Sequence, residues 1–202
     1  MSIRINTNKI YNILSKINKY PVINVNEKEI IERTIMEINN NTVNLISDYV
    51  FYNCSKLIKV DFPECTNIGQ YAFDNCINLT SISFTECTNI GSDAFNNCFN
   101  LTSAIFPKCT TIGQYAFYRC SSLTSATFPK CTSIGSYTFG SCSSLISIYL
   151  MASSLCTLAA SNAFGNTQIT SSTGYIYVPS LFLTSYKTAT NWTYFSNRIF
   201  GM

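Results

Sequence analysis

Any covalent or metal chemistry in this 202-residue chain would have to be built from ten cysteines and no histidine. The absence of imidazole removes the commonest general base and the commonest metal ligand together, which excludes histidine-based triads and histidine-containing zinc sites. Nine of the cysteines fall in two series: Cys54, Cys76, Cys98, Cys120 and Cys142, then Cys65, Cys87, Cys109 and Cys131. Each series has a step of 22 residues, and Cys156 is out of phase. Stacked strands ~4.8 Å apart would bring equivalent cysteines into Cα range of a disulfide, but side chains pointing in parallel keep their Cβ atoms too far apart to bridge easily. The two series therefore read as free thiols acting as small buried apolar groups. The glycines recur once per repeat, as turn geometry requires, and form no phosphate cradle. No catalytic residue, cofactor site or metal site is expected.

Binding leaves a different trace, in positions that vary and point outward. The column Tyr49, Tyr71, Asp93, Tyr115, Tyr137 runs along one face, with Tyr52, Asp74, Asn96, Tyr118, Gly140 beside it. Exposed tyrosines on a rigid scaffold suit protein interfaces and sugar platforms. The candidate ligand-binding residues are Tyr49, Tyr71, Tyr115, Tyr118, Tyr137, Phe99 and Tyr149. The alternative for the tyrosine columns is a structural ladder packed over the turns. A strand face bearing Ser81, Ser83, Ser103, Ser125, Thr127, Ser147 and Tyr149 is rich in hydroxyls and nearly uncharged. It suits either glycan hydrogen bonding or plain soluble strand surface.

These columns exist because the chain repeats. Isoleucine recurs at Ile46, Ile68, Ile90, Ile112 and Ile134, phenylalanine at Phe51, Phe73, Phe95, Phe117 and Phe139, and leucine at Leu57, Leu79, Leu101, Leu123 and Leu145, always 22 residues apart. A fixed period with fixed apolar positions marks a solenoid whose coils bury their faces against one another. Leu57, Val60 and Phe62 have the spacing of a strand, with Lys59 and Asp61 pointing outward. Ile68, Ala72, Phe73 and Cys76 build the opposite side. Gly69, Gly91, Gly113 and Gly135 are expected where the chain turns tightly or takes positive φ. Pro63, Pro107 and Pro129 are expected to end strands.

Three regions follow. Residues 1–33 lie outside the period and combine a polar edge with a helical stripe of Ile10, Ile13, Leu14 and Ile17. That stripe needs a partner, which is either the first coil or another copy or protein docked through residues 1–20. Residues 34–150 form the solenoid. Residues 151–202 hold a degenerate Ala-Phe turn at Ala163–Phe164, a strand at Tyr175–Val178, a helix capped by Ser180 that runs to about Thr188, and a closing aromatic cluster that includes Trp192. The fold expected is an α/β repeat solenoid of the leucine-rich-repeat type, with short strands, short helical or 3-10 turns and a C-terminal strand-helix cap.

The pattern Ile-Gly-Gln-Tyr-Ala-Phe-x-x-Cys-x-x-Leu-Thr-Ser-Ile-x-Phe-Pro resembles the BspA-like, or Treponema pallidum-type, leucine-rich repeat from about Ile46 to Leu150. The closing segment resembles the caps of such proteins in gut bacteria and their phages. The resemblance implies adhesion or receptor binding, with no shared catalytic residue. Five cations and no acid after Asp93 are too sparse to track a nucleic-acid backbone. No run approaches a membrane span, and the first residues show no apolar stretch of signal-peptide length. With reduced cysteines, this points to a chain folded in a cytosol. The function expected is that of a non-enzymatic binding module in a phage tail or virion, recognising a bacterial surface glycan or protein and possibly forming a homo-oligomer. A bacterial surface adhesin is the alternative.

Overall fold

The computed structural model describes residues 37–39, 41–171 and 173–202; the expected helix and attachment segment of residues 1–33 lie outside them. The chain winds as a solenoid with two parallel strands in each coil. The longer strands are β1 (Glu37–Asn39), β3 (Lys59–Asp61), β5 (Ser81–Ser83), β7 (Ser103–Ile105), β9 (Ser125–Thr127) and β11 (Ser147–Tyr149). Val60 is fully buried while Lys59 is exposed, the alternation expected of a strand with one face on the core. A second series of strands, not expected from the apolar spacing, lies at the ladder isoleucines and their equivalents: β2 (Leu45–Ile46), β4 (Asn67–Ile68), β6 (Asn89–Ile90), β8 (Thr111–Ile112), β10 (Ser133–Ile134) and β12 (Thr157–Leu158). These form one continuous six-stranded sheet. The longer strands form two sheets, because β5 and β7 do not pair. Ile82 in β5 is correspondingly only half-buried, whereas Val60, Ala104, Ala126 and Ile148 at the equivalent level are fully buried.

The third side of each coil is a turn, and it is laddered too. The amides of Tyr49, Phe51 and Asn53 donate to the carbonyls of Gln70, Ala72 and Asp74 at 2.9, 2.8 and 2.8 Å, and the pattern repeats down the chain. Aiming these amides along the solenoid axis puts two residues per coil in the left-handed region, Tyr49 and Asn53 both at φ 62° and their equivalents at similar values. No glycine has positive φ, which removes the positive-φ half of the expectation for Gly69, Gly91, Gly113 and Gly135. Glycine is needed there for close approach of backbones: a Cβ on Gly113 would lie 2.5 Å from the Ser92 amide nitrogen, and one on Gly135 2.5 Å from that of Gln114.

Two phenylalanine columns fill the interior. Phe73, Phe95 and Phe117 stack at 5.1 and 5.2 Å, and Phe84, Phe106 and Phe128 at 5.8 and 5.6 Å. The columns meet edge-on, as at Phe73 and Phe84, 6.0 Å apart. All ten cysteines are free and buried. One series donates its thiol to the phenylalanine carbonyl of the preceding coil, as Cys98 does to Phe73 at 3.3 Å. The other donates two residues onward, as Cys87 does to Asn89 at 3.3 Å. Burial pushes the Cys87 thiol up to about 12 and that of Cys98 higher still, so both stay protonated. Cys156, out of phase in sequence, completes the second series in space, with its sulfur 3.8 Å from that of Cys131.

The last coil is longer than 22 residues: Ser133 pairs with Thr157, the Phe139 amide with the Ala163 carbonyl, and Ser147 with Tyr175. Strand β13 (Tyr175–Val178) and strand β14 (Ile199–Gly201) then extend the sheet of β11. Around them lie α1 (Gln168–Ser171), α2 (Leu183–Thr188) and 3-10 turns at Ser161–Phe164, Ser180–Phe182 and Thr193–Arg198. Ser180 caps no helix; its hydroxyl donates to the Met202 carbonyl at 3.1 Å and ties down the chain end. The fully buried Tyr186 and Trp192 close the core, with the Trp192 indole N–H donating to the Cys156 carbonyl at 2.7 Å.

Candidate functional site

The left-handed turn position that begins each turn ladder carries Tyr49, Tyr71, Asp93, Tyr115 and Tyr137, so four of these five coils present a ring there. Tyr49 and Tyr71 stack at 4.8 Å and 12°, and Tyr115 and Tyr137 at 5.0 Å and 4°. Tyr118 stands edge-on to Tyr115 at 5.3 Å and to Tyr137 at 6.4 Å. Tyr52 stands the same way against Tyr49 at 5.8 Å. Five of the seven candidates thus lie on one ledge, which is extended by Tyr52 of the neighbouring column, a residue outside the candidate set. The Arg119 guanidinium lies 5.4 Å from the Tyr118 ring centroid.

Polar residues occupy the middle of the ledge. Asp74 and Asp93 are 6% and 8% exposed. The Asn97 amide donates to Asp74 at 3.4 Å, and the Asn96 amide to Asp93 at 3.0 Å. Burial nevertheless holds both carboxyls above their usual range, and no lysine or arginine contributes to either shift. The Tyr71 phenol is also raised, first by the charge of Asp93. Ring faces and carboxylates together can stack against a ligand ring and accept its hydrogen bonds.

The other two candidates lie elsewhere. Phe99 is 39% exposed beside Ile77 of the preceding coil, and it makes no ring contact among the described residues. Tyr149 belongs to the strand face, where it stacks on Tyr177 at 4.9 Å. Tyr175 meets Phe200 edge-on at 5.2 Å on the same sheet. The alternation of Tyr175 and Tyr177 across a buried Ile176 was the sequence signal for this second aromatic patch. A polar groove on the six-stranded sheet runs over the glycine column between Asp48, Asn67 and Asn89. Among the described residues, no group of three or more histidine, cysteine or acidic side chains is placed to hold a metal ion. No helix among them is long and apolar enough to cross a membrane.

No curated protein matches the chain. Among solved structures it is similar to a leucine-rich repeat protein of Treponema pallidum, at 25% identity and a TM-score of 0.52, over 75% of this chain and 78% of that one. It is also similar to a leucine-rich cell-surface protein of Faecalibacterium prausnitzii A2-165, at 29% identity and a TM-score of 0.54. That match covers 56% of this chain and 31% of the larger protein. The model of the BspA-type leucine-rich repeat region, in six copies, matches residues 3–124 and 66–182. With the whole solenoid and most of its cap inside that match, the chain belongs to the BspA-type leucine-rich-repeat family.

Proposed function

We propose that the chain is a non-enzymatic recognition module of a phage tail or virion, engaging a bacterial surface glycan or protein through its tyrosine ledge. The observation that carries this reading is the ledge itself. Its rings are outward and mutually stacked, and they sit on turns whose backbone is hydrogen-bonded from coil to coil. Such rings bind with little further loss of conformational freedom, which is where aromatic interfaces gain affinity. Ten buried free thiols fit folding in a reducing cytosol, where phage structural proteins are made. Attachment through residues 1–20 belongs to the same proposal.

A second reading, a bacterial surface adhesin, is favoured by the likeness to the F. prausnitzii cell-surface protein. Labelled chain should adsorb to intact bacterial cells, and Tyr115→Ala with Tyr118→Ala should reduce adsorption by about tenfold or more, as loss of paired aromatic anchors does. Adsorption unchanged in that double variant would end the ledge assignment. Antibody labelling of virions against labelling of producing cells separates the two readings.

A further inference from the structure

The tyrosine column is interrupted once. Tyr49 and Tyr71 stack at 4.8 Å, Tyr115 and Tyr137 stack at 5.0 Å, and the coil between the pairs carries Asp93 in place of a ring. Tyr71 and Tyr115 are two coils apart, so the levels of their rings are separated by about 10 Å, twice the ~4.8 Å spacing of laddered chains, and Asp93 stands at the level of the slot between them. The backbone does not require this gap. φ is 56° at Asp93 and 55°, 56° and 52° at Tyr71, Tyr115 and Tyr137, so the position that holds Asp93 accommodates tyrosine. The companion column lacks a ring at the same level, where Asp74 and Asn96 stand between Tyr52 and Tyr118.

The slot floor is rich in acceptors. Asp74 and Asp93 receive hydrogen bonds from Asn97 and Asn96, and the Asn96 Oδ1 is buried without a partner. Residues 37–93 carry seven carboxylates and two lysines, so the field on this half of the solenoid is negative. Ring faces on two sides and carboxylates below are the arrangement that holds an organic cation. Width selects among cations. A planar guanidinium touching both rings needs them about 7–8 Å apart, two contact distances of ~3.5–4.0 Å. The wider gap fits a saturated ring, and an ammonium midway would lie about 5 Å from each centroid, inside the ~6 Å reach of cation–π attraction.

We propose that the slot between Tyr71 and Tyr115 binds a protonated amino sugar, its pyranose ring stacked between the two phenol faces and its ammonium over the Asp93 carboxylate. The proposal rests on the reading of the chain as a recognition module, and it names a glycan as the ligand. Isothermal titration of the full chain with a β-1,4-linked glucosamine oligomer, and with the N-acetylated oligomer of equal length, tests it. The charged oligomer should bind about tenfold more tightly than its neutral counterpart. Asp93→Tyr, which fills the slot with the column's own ring, should weaken binding about tenfold with melting temperature held or raised; Asp93→Asn should weaken it by less. Equal binding of both oligomers, binding of neither, or an unchanged affinity in both Asp93 variants overturns the proposal. So does an arginine-rich peptide that occupies the slot when the oligomer does not. Should the oligomers fail while the Tyr115 and Tyr118 variant still loses cell adsorption, the amino-sugar assignment falls and the recognition reading stands.

Discussion

Two kinds of buried polar side chain behave oppositely in this solenoid. Buried thiols such as those of Cys87 and Cys98 stay neutral, and each of the two donates weakly to a nearby carbonyl, so cysteine fills these tight inner corners without an electrostatic cost. The carboxyls of Asp74 and Asp93 sit at the rim, where burial disfavours their charged form. The folded-state pKa of Asp93 is raised above the ordinary 3.8, so its protonated form favours folding. That contribution is fully present below about pH 4 and is lost as pH rises through the raised value. Asp93→Asn keeps the hydrogen-bonding shape, tolerates positive φ and removes the charge. It should raise stability at pH 7 by about 0.5–2 kcal/mol, with little gain at pH 4. Urea midpoints of both proteins at the two pH values measure this, and equal midpoints at pH 7 would refute it. A residue retained against stability is one that binding can explain, and this places Asp93 apart from the tyrosines around it.

At the scale of the coil, hydrogen-bonded ladders run along three sides of the backbone, interrupted between β5 and β7, and neighbouring coils approach closely along the glycine column. Gly113→Ala should cost ~3 kcal/mol, because its Cβ would meet the Ser92 amide and the Gly91 carbonyl carbon at 2.5 and 2.7 Å, backbone atoms that cannot swing away. Chemical denaturation measures this, and a loss below ~0.5 kcal/mol would show that the coils can spread. The same column marks the limit of what the sequence discloses. The period, the apolar ladders, the β3-type strands and the Cys series were all legible, because burial acts on residue type at every repeat. The role of glycine was not, since a missing Cβ serves positive φ and close packing equally well. The signal for the left-handed turns lay instead in Asn53, Asn75 and Asn97, the residue type that best tolerates that region apart from glycine. The tyrosine ledge was visible as a column, but its stacking and the gap at Asp93 depend on the coil spacing, which composition does not carry. The break between β5 and β7 has no sequence signal that we can identify; Ile82 conforms to the pattern and is nevertheless only half-buried.

For the whole molecule, a solenoid has two ends, and its stability is the sum of coil and interface terms, so an uncovered end coil is the weakest unit. The C-terminal end is covered by β13, β14 and the buried rings of Tyr186, Trp192 and Phe195. The packing of Trp192 and Phe195 on Phe164, which continues the Phe139 column at 5.6 Å, carries the core into the cap. Truncation after Leu150 would remove that cover and expose Phe139, Leu145, Ile148 and Leu150, each worth about 1.5–3 kcal/mol when buried. It would also strip β11 of its pairing with β13, leaving an open parallel edge that can template association. The truncated chain should melt at least ~10 °C lower and associate at micromolar concentration, since losing several kcal/mol in a domain of this size shifts the midpoint by ~2–4 °C per kcal/mol. Light scattering and thermal denaturation of the two chains side by side decide it. A truncated chain that stays monomeric and melts with the intact one would mean that the coils hold themselves and that residues 151–202 serve recognition and not closure.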